Sequence, residues 1–239
     1  MQKYLVFLKL TSFIRTFIIN FKCLPFKQAC KLPILLGHGK RLRSLKGKII
    51  IEGPVRTGMI SFGMLRIFRD DPHKRNYIDN NGTIIFKGHA IFHTGTILSV
   101  DKGAVLELGE NFRVGADSVI YTKKSITFGN TVNISWNFQI LDTDFHYIRN
   151  TVTGDTFPNT KSIVIGDRCW IGNHVCISKG TKLPNGTIVS ARSLVNKKFE
   201  TENTIIGGSP AKVLKENFER VFSYTEEREI DAKFAKDGK

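Results

Sequence analysis

The first fifty residues contain no aspartate or glutamate, and the first acidic side chain of the chain is Glu52. The same fifty residues carry eleven lysines and arginines, so most of the formal net charge of +15 belongs to one terminal segment. A basic excess confined to one segment predicts a single positive docking face. It argues against an extended basic surface that binds nucleic acid, and we expect no nucleic-acid partner.

Paired cysteines and long apolar runs are also absent. The four cysteines are Cys23, Cys30, Cys169 and Cys176, and none forms a C-x-x-C pair. We therefore expect reduced thiols in a cytoplasmic protein. No stretch of 18 apolar residues occurs, because Lys9, Arg15 and Lys22 interrupt the N-terminal run, and we expect no membrane-spanning helix. No small-residue cleavage site follows the run, so a secretory signal is not expected either.

A six-residue repeat runs from Ile165 to Phe199. Its aliphatic positions are Ile165, Ile171, Ile177, Leu183, Val189 and Val195. Each of the last five aliphatic positions is preceded, two residues earlier, by a small or β-branched residue. These residues are Cys169, Val175, Thr181, Thr187 and Ser193. A period of six fits neither a helix nor a single strand, and it is typical of a hexapeptide β-helix whose coils each contain three short strands. A weaker form of the register extends back to Phe86.

Other segments depart from the repeat. The polar stretch from Arg66 to Asn81 predicts a loop that projects from an incomplete coil. Between Ile140 and Ile165 the chain has seven residues more than one 18-residue coil needs, and this insertion contains Asp142-Thr143-Asp144-Phe145-His146. Insertions in repeat arrays map to one face, which is commonly the functional face. From Val213 onward the sequence suits a final helix that would cap the open end of the prism.

The N-terminal segment allows two interpretations. Gln2 to Phe21 reads as a helix with a narrow polar stripe, which includes Ser12, Thr16 and Asn20. Such a helix cannot stand alone in water. It either packs against the β-helix or a neighbouring subunit, or it lies on an anionic membrane with the help of the basic residues that follow. Both interpretations hold if one face of the helix packs against the protein and the other face docks on the membrane.

The segment from Ile134 to Lys215 resembles the hexapeptide-repeat acetyltransferases, the group of galactoside, maltose, xenobiotic and polysaccharide O-acetyltransferases. The residues that carry the resemblance are DTDFH at 142–146, WIG at 170–172, ARSLVNKK at 191–198 and GGSPAK at 207–212. The resemblance implies a mainly β fold, a left-handed parallel β-helix that assembles as a homotrimer. It also implies acetyl-CoA as donor in a groove between subunits, a histidine general base and no required metal.

We divide the chain accordingly into three parts. Residues 1–48 form a basic amphipathic extension with a helix, and residues 49–212 form the left-handed β-helix acetyltransferase domain with a catalytic loop at 141–162. Residues 213–239 form a C-terminal helical cap. The expected activity is O-acetyl transfer to a hydroxyl of a sugar or a cell-envelope glycan precursor, in the cytoplasm or peripherally at the inner face of the membrane.

Acetyl transfer to a hydroxyl needs a base that removes the hydroxyl proton near neutral pH, and histidine has a suitable pKa. His146 is the candidate, with Asp144 or Asp142 as the carboxylate that orients it. The resemblance places donor contacts at Trp170, Asn173, Ala191, Asn196, Lys197, Lys212 and Lys215. Tyr121 to Lys124 forms a basic rim where sugar-modifying relatives tend to carry acidic or amide contacts. It favours a phosphate- or carboxylate-bearing acceptor, such as a lipid-diphosphate-linked glycan.

Two alternatives remain. A γ-type carbonic anhydrase uses the same prism but needs three histidines from adjacent coils around zinc. The available histidines are His89, His93, His146 and His174, of which the first two stand several coils before His146. The second alternative is a non-catalytic binding scaffold, since the surfaces of repeat proteins often only bind.

Overall fold

A computed structural model describes residues 12–37, 41–64, 70–71 and 73–237. The chain winds through successive coils, and each coil contributes one strand to each of three sheets that form the faces of a prism. Parallel pairing between equivalent strands of neighbouring coils satisfies the backbone along each face. The fold is therefore a parallel β-helix, as the six-residue repeat predicts.

The first sheet contains β1 (Ile34–Leu36), β4 (Ile60–Phe62), β7 (Ala90–Phe92), β10 (Phe112–Val114), β13 (Asn133–Ile134), β18 (Trp170–Ile171), β21 (Ile188–Val189), β23 (Thr204–Gly208) and β24 (Ala211–Glu216). The second contains β2 (Arg41–Leu45), β5 (Tyr77–Asn80), β8 (Ile97–Val100), β11 (Val119–Thr122), β14 (Gln139–Leu141), β19 (Cys176–Ile177) and β22 (Leu194–Val195). The third contains β3 (Lys48–Ile51), β6 (Thr83–Phe86), β9 (Val105–Leu108), β12 (Ser125–Phe128), β17 (Ile163–Ile165) and β20 (Lys182–Leu183). A separate hairpin pairs β15 (Ile148–Arg149) with β16 (Thr156–Phe157).

The repeat residues fill the axis of the prism. All six aliphatic positions from Ile165 to Val195 are at most 1% exposed, which confirms their predicted core role. The small residues beside them are also buried, and several turn their hydroxyls to the backbone. Thr181 and Thr187 each donate to the carbonyl three residues earlier at 2.8 Å, and Ser193 does the same at 2.7 Å. A small polar residue thus fits this position because its hydroxyl finds an acceptor without leaving the core.

Three predicted boundaries differ from the structure. The first coil begins at Ile34 rather than at residue 49, so part of the basic extension is β-helix. Tyr77–Asn80, predicted as loop, is a strand. The last helix, α3, covers only Tyr224–Asp237, because Ala211–Glu216 instead pairs antiparallel with the edge of β23. An open edge needs partners for its backbone groups, and this outweighs the helical pattern read from Val213.

The N-terminal helices are α1 (Phe13–Cys23) and α2 (Phe26–Ala29); residues 2–11 of the predicted helix lie outside the described residues. The polar stripe of α1 faces the protein. Asn20 donates to the carbonyl of Ile34 at 2.7 Å and accepts its N–H at 3.1 Å, and Thr16 accepts the N–H of Leu36 at 3.1 Å. These side chains cover the exposed edge of β1. The packing interpretation is confirmed for this face.

The opposite face of α1 is apolar and exposed. Its residues are Phe13, Ile14, Phe17, Ile18 and Phe21, which are 43–78% exposed. Phe21 also contacts the exposed ring of Phe26 at the start of α2. The helix is thus amphipathic in the inverse sense, with its polar stripe buried and its apolar stripe outside. Among the described residues, no helix is long and apolar enough to cross a membrane.

Candidate active site

The insertion in the fifth coil forms the candidate active-site loop. It leaves β14 at Leu141, contains the β15–β16 hairpin and returns to the third sheet at β17. A bridge between Thr143 and Thr160 closes the base of the loop, and Ile148 pairs with Phe157 farther out. The DTDFH motif therefore lies at the base of a stem, where both strands of the loop hold it.

Asp142 anchors this motif to the preceding coil. The residue is fully buried, and its carboxylate accepts the backbone N–H of Lys123 at 2.7 Å and of Lys124 at 2.8 Å. Burial raises the pKa of this carboxyl, and the backbone hydrogen bonds partly offset that increase. Among the described residues, both oxygens contact backbone amides of the preceding coil, and no hydrogen bond joins Asp142 to the His146 ring.

Asp144 and His146 are brought together through the backbone. The N–H of His146 donates to the carbonyl of Asp144 at 2.7 Å across Phe145, whose φ of +62° makes the tight turn. The Asp144 carboxylate pairs with Lys179 at 2.6 Å rather than with the imidazole. His146 is exposed, and within the described part of the chain no side chain hydrogen-bonds its ring. The imidazole is thus accessible to a substrate hydroxyl, but neither aspartate orients it in this arrangement.

Tyr121 supports the motif from the preceding coil. Its ring lies 4.9 Å from that of Phe145, and its hydroxyl donates to the Asp101 carboxylate at 3.0 Å. Burial and this hydrogen bond raise the pKa of Tyr121 to about 12, so the phenol stays neutral at physiological pH. The predicted basic rim therefore has a second role, because its tyrosine and its lysine amides hold the loop.

The predicted donor contacts fall into two groups. Trp170 projects from β18 and is 38% exposed. Asn173 and Ala191 occupy successive turns of the adjoining corner, where the N–H of Arg192 donates to the carbonyl of Asn173 at 2.9 Å. The turns stack this closely because residue 172 is glycine, since a Cβ there would lie 2.7 Å from the Ala191 nitrogen.

Lys212 and Lys215 belong with the first group, because they are exposed on β24 in the same sheet as Trp170. The Lys215 ammonium lies 5.3 Å from the centre of the Phe218 ring. Asn196 and Lys197 form the second group, at the opposite end of β22 from Ala191. One protomer thus does not gather all the predicted donor contacts on one surface.

The histidines of the zinc alternative are dispersed. His89 and His93 flank β7 in the third coil, whereas His146 lies in the fifth and His174 in the sixth. One ring nitrogen of His93 bonds to Asp70, and Nε2 of His174 lies 3.2 Å from the Asn137 amide. Among the described residues, no three histidine, cysteine or acidic side chains form a group able to hold a metal ion.

Comparison with known proteins supports the resemblance, although no family model matches the chain. WbbJ of Escherichia coli K12, assigned to O-acetyl transfer in lipopolysaccharide biosynthesis, is 29% identical over 147 residues, which are 58% of this chain and 74% of WbbJ. WcaF of the same strain, assigned to acetyl transfer in colanic acid biosynthesis, is 33% identical over 114 residues, 48% of this chain and 60% of WcaF. Its relatives are hexapeptide-repeat O-acetyltransferases, and these similarities support an acyltransferase.

The solved structure of the polysialic-acid-specific acetyltransferase NeuO has the same fold. It matches this chain with a TM-score of 0.60 over 85% of this chain and 87% of that one, at 18% identity. At such low identity the likeness shows the architecture alone. The prism is therefore a left-handed parallel β-helix, with helices at its N-terminal and C-terminal ends.

Sequence patterns missed two arginines near the predicted donor contacts. The Arg220 guanidinium lies 5.1 Å from the Trp170 ring centre and 4.9 Å from that of Phe222, so the C-terminal segment covers part of the tryptophan. Burial lowers the pKa of Arg220, the Glu227 carboxylate partly offsets this decrease, and the charge of Arg113 adds a smaller decrease. Arg113 and Arg220 also border one cavity. No motif could have revealed this pair, because the two residues are far apart in sequence and meet only when the C-terminal segment folds back.

Proposed function

We propose that the chain is an acetyl-CoA-dependent O-acetyltransferase that acts on a hydroxyl of a sugar or of a cell-envelope glycan precursor, with His146 as general base. It works as a homotrimer whose sites are completed between subunits. The observation that carries the proposal is the accessible His146 imidazole on a firmly anchored DTDFH motif. The relatives support the reaction type, since both are assigned to acetyl transfer in the synthesis of surface polysaccharides.

The geometry suits proton transfer at His146. Asp142 fixes the base of the motif, and the Asp144–Lys179 pair fixes the residue beside the histidine. The exposed ring can accept the hydroxyl proton as the sugar oxygen attacks, and it can return that proton to the departing thiolate. Acetyl-CoA supplies the acetyl group as a thioester. Because no side chain among the described residues of one protomer hydrogen-bonds the His146 ring, an orienting group for the imidazole would come from the neighbouring subunit.

The donor surface fits a ligand that is apolar at one end and anionic at the other. Trp170 offers a partly exposed indole, and Lys212 and Lys215 offer exposed ammonium groups on a strand of the same sheet. Within the described part of the chain, neither lysine is ion-paired with a carboxylate. Lysine ammonium groups bind phosphate as point charges, and the phosphate groups of CoA require such cations. In the trimer, Asn196 and Lys197 would contact donor held mainly by the adjacent subunit.

The N-terminal segment gives this acetyltransferase a peripheral membrane site on the cytoplasmic side. The outward face of α1 is apolar, and Arg15 and Lys22 lie along one edge of it, with Lys27 and Lys31 exposed close by in the chain. No acidic residue occurs among the first fifty residues to oppose them. An exposed apolar stripe beside cations matches an anionic lipid surface, which accepts both. Docking there would bring the enzyme to a lipid-linked acceptor.

Replacement of His146 tests the chemistry. We expect His146→Ala to lower kcat by about two orders of magnitude or more, because a positioned base contributes about that much. Calorimetry should show unchanged binding of acetyl-CoA. His73→Ala is the matched control, since His73 is exposed and lies outside the loop. Full activity of His146→Ala would refute the assigned base, and failure of the unmodified protein to bind acetyl-CoA would favour a binding scaffold.

A further inference from the structure

A buried histidine that hydrogen-bonds to a carboxylate lies at another corner of the prism. His93 directly follows β7, and its Nδ1 lies 2.9 Å from the Asp70 carboxylate. The Asp70 side chain is 0% exposed, and it also accepts the N–H of Thr94 at 3.1 Å. Asp70 lies between β4 and β5 in sequence, so this pair ties Asp70 to the third coil. The acetyl-transfer chemistry assigns the pair no role.

The carboxylate decides which ring nitrogen of His93 carries hydrogen. An ionised carboxylate can only accept, so an imidazole in its neutral form donates its Nδ1–H to Asp70 and keeps a lone pair on Nε2. Among the described residues, none hydrogen-bonds Nε2. If His93 served only to hold Asp70 in place, the hydrogen bond at Nδ1 would be sufficient. The second edge of the ring is thus preset as a hydrogen-bond acceptor.

His93 borders a cavity of about 290 Å³, which we name the corner cavity. Its polar lining comes from Arg113, Asn133, Ser135 and Trp136, which belong to the next two coils. Among the described residues, no carboxylate belongs to its lining and none forms an ion pair with Arg113. The corner cavity therefore offers one unpaired guanidinium, an oriented imidazole, an amide, a hydroxyl and an indole.

We propose that the corner cavity binds an acidic sugar unit of a glycan. Arg113 pairs with the sugar carboxylate, because a guanidinium fork matches a carboxylate in two parallel hydrogen bonds. Nε2 of His93 accepts a sugar hydroxyl, and the partly exposed Trp136 ring packs on the apolar face of the sugar. The proposal rests on the proposed function only in taking this glycan to be the acceptor, since binding itself involves no acetyl transfer.

Binding of a defined acid sugar tests the proposal. The probe is trigalacturonic acid, compared with its methyl ester, which keeps every hydroxyl but removes the charge. Titration of the full chain without acetyl-CoA should show the acid binding at least tenfold more tightly than the ester. The ¹⁵N resonances of His93 should show hydrogen on Nδ1, and the Nε2 signal should move on addition of either ligand.

Three variants separate the contributions. Arg113→Gln should lower the affinity for the acid to that for the ester, whereas Arg75→Gln, a matched change of an exposed arginine outside the cavity, should leave the preference intact. His93→Gln should weaken acid and ester by the same factor. Equal binding of both ligands by the unmodified chain, an unmoved His93 signal, or no binding of either would each overturn the proposal.

His146→Ala distinguishes this site from the acetyl-transfer site. It should bind trigalacturonic acid as the unmodified chain does, because His146 lies on a different corner of the protomer. Intact acetyl transfer together with absent acid binding would refute only the corner cavity. Intact acid binding together with absent acetyl transfer would refute only the proposed reaction.

Discussion

The inverse amphipathicity of α1 makes a quantitative prediction about membrane binding. Phe17 and Phe21 are 48% and 44% exposed on its outward face, and their rings stack with centroids 5.8 Å apart. Transfer of a fully exposed large apolar side chain out of water stabilises by about 1.5–3 kcal/mol, so each phenylalanine should contribute about 1 kcal/mol on docking. The double variant Phe17→Ser/Phe21→Ser should therefore weaken binding by roughly 2 kcal/mol, about thirtyfold.

Vesicle sedimentation measures this change. Vesicles with 30% phosphatidylglycerol should bind the protein more tightly than pure phosphatidylcholine, and added salt should reduce the difference because the basic residues act through screened charge. Phe234→Ser is the matched control, since Phe234 is 69% exposed on α3 at the other end of the prism. The fold should persist in the double variant, because the polar face of α1 is unchanged, and thermal melts check this.

Two results would refute the reasoning about α1. If the double variant and the control bound anionic vesicles equally, the outward face would not be the docking surface. If the double variant instead changed the number of subunits measured by light scattering, the face would be covered by another copy of the chain. Equal affinity for neutral and anionic vesicles would remove the role assigned to the basic residues.

Two further predictions concern the loop anchor and the cysteines. Asp142→Ala should lower the free energy of unfolding by about 2 kcal/mol in urea titration, because the amides of Lys123 and Lys124 lose their acceptors. Burial raises the pKa of Asp142, so between the ordinary carboxyl pKa and the raised one the folded state keeps a proton that the unfolded state releases. The free energy of unfolding of the unmodified protein should therefore fall as pH rises through this range. Asp142→Ala should lack this dependence on pH. Burial raises the pKa of Cys169 to about 12, so a thiol reagent at pH 8 should modify exposed Cys30 at once and Cys169 only after unfolding. Rapid modification of Cys169 in the folded protein, or an unchanged urea midpoint for Asp142→Ala, would contradict the respective prediction.

The sequence predicts the later coils well and the early coils poorly, for a physical reason. From Ile165 to Val195 each coil has the same length, so its inward positions recur every six residues. In the first coil, Arg41–Leu45 alternates basic outward residues with partly buried ones, and this pattern resembles a charged extension. The strand forms because neighbouring β5 supplies backbone partners, and local composition does not record that pairing.

The candidate site shows the same limit. The DTDFH motif makes His146 the candidate base from sequence alone, but the partners of the carboxylates depend on which coils stack. Asp142 meets amides 18 and 19 residues earlier, and Asp70 meets a histidine 23 residues later. These separations are close to one coil, yet insertions shift them, so only the folded register reveals the contacts. The short-range expectation that neighbouring Asp142 or Asp144 orients His146 lacks support for that reason.

The position of α1 constrains the acceptor. The helix covers the outer edge of β1 in the first coil, and the His146 loop leaves the fifth. Neighbouring strands lie about 4.8 Å apart, so four coil spacings place the loop about 19 Å from that end of the prism. If α1 docks on lipid as proposed, His146 stands too far from the surface for a sugar attached directly to the headgroup. We therefore expect lipid-linked acceptors with several sugar units to be acetylated faster than single-sugar lipids in vesicles, and equal rates would contradict docking through α1.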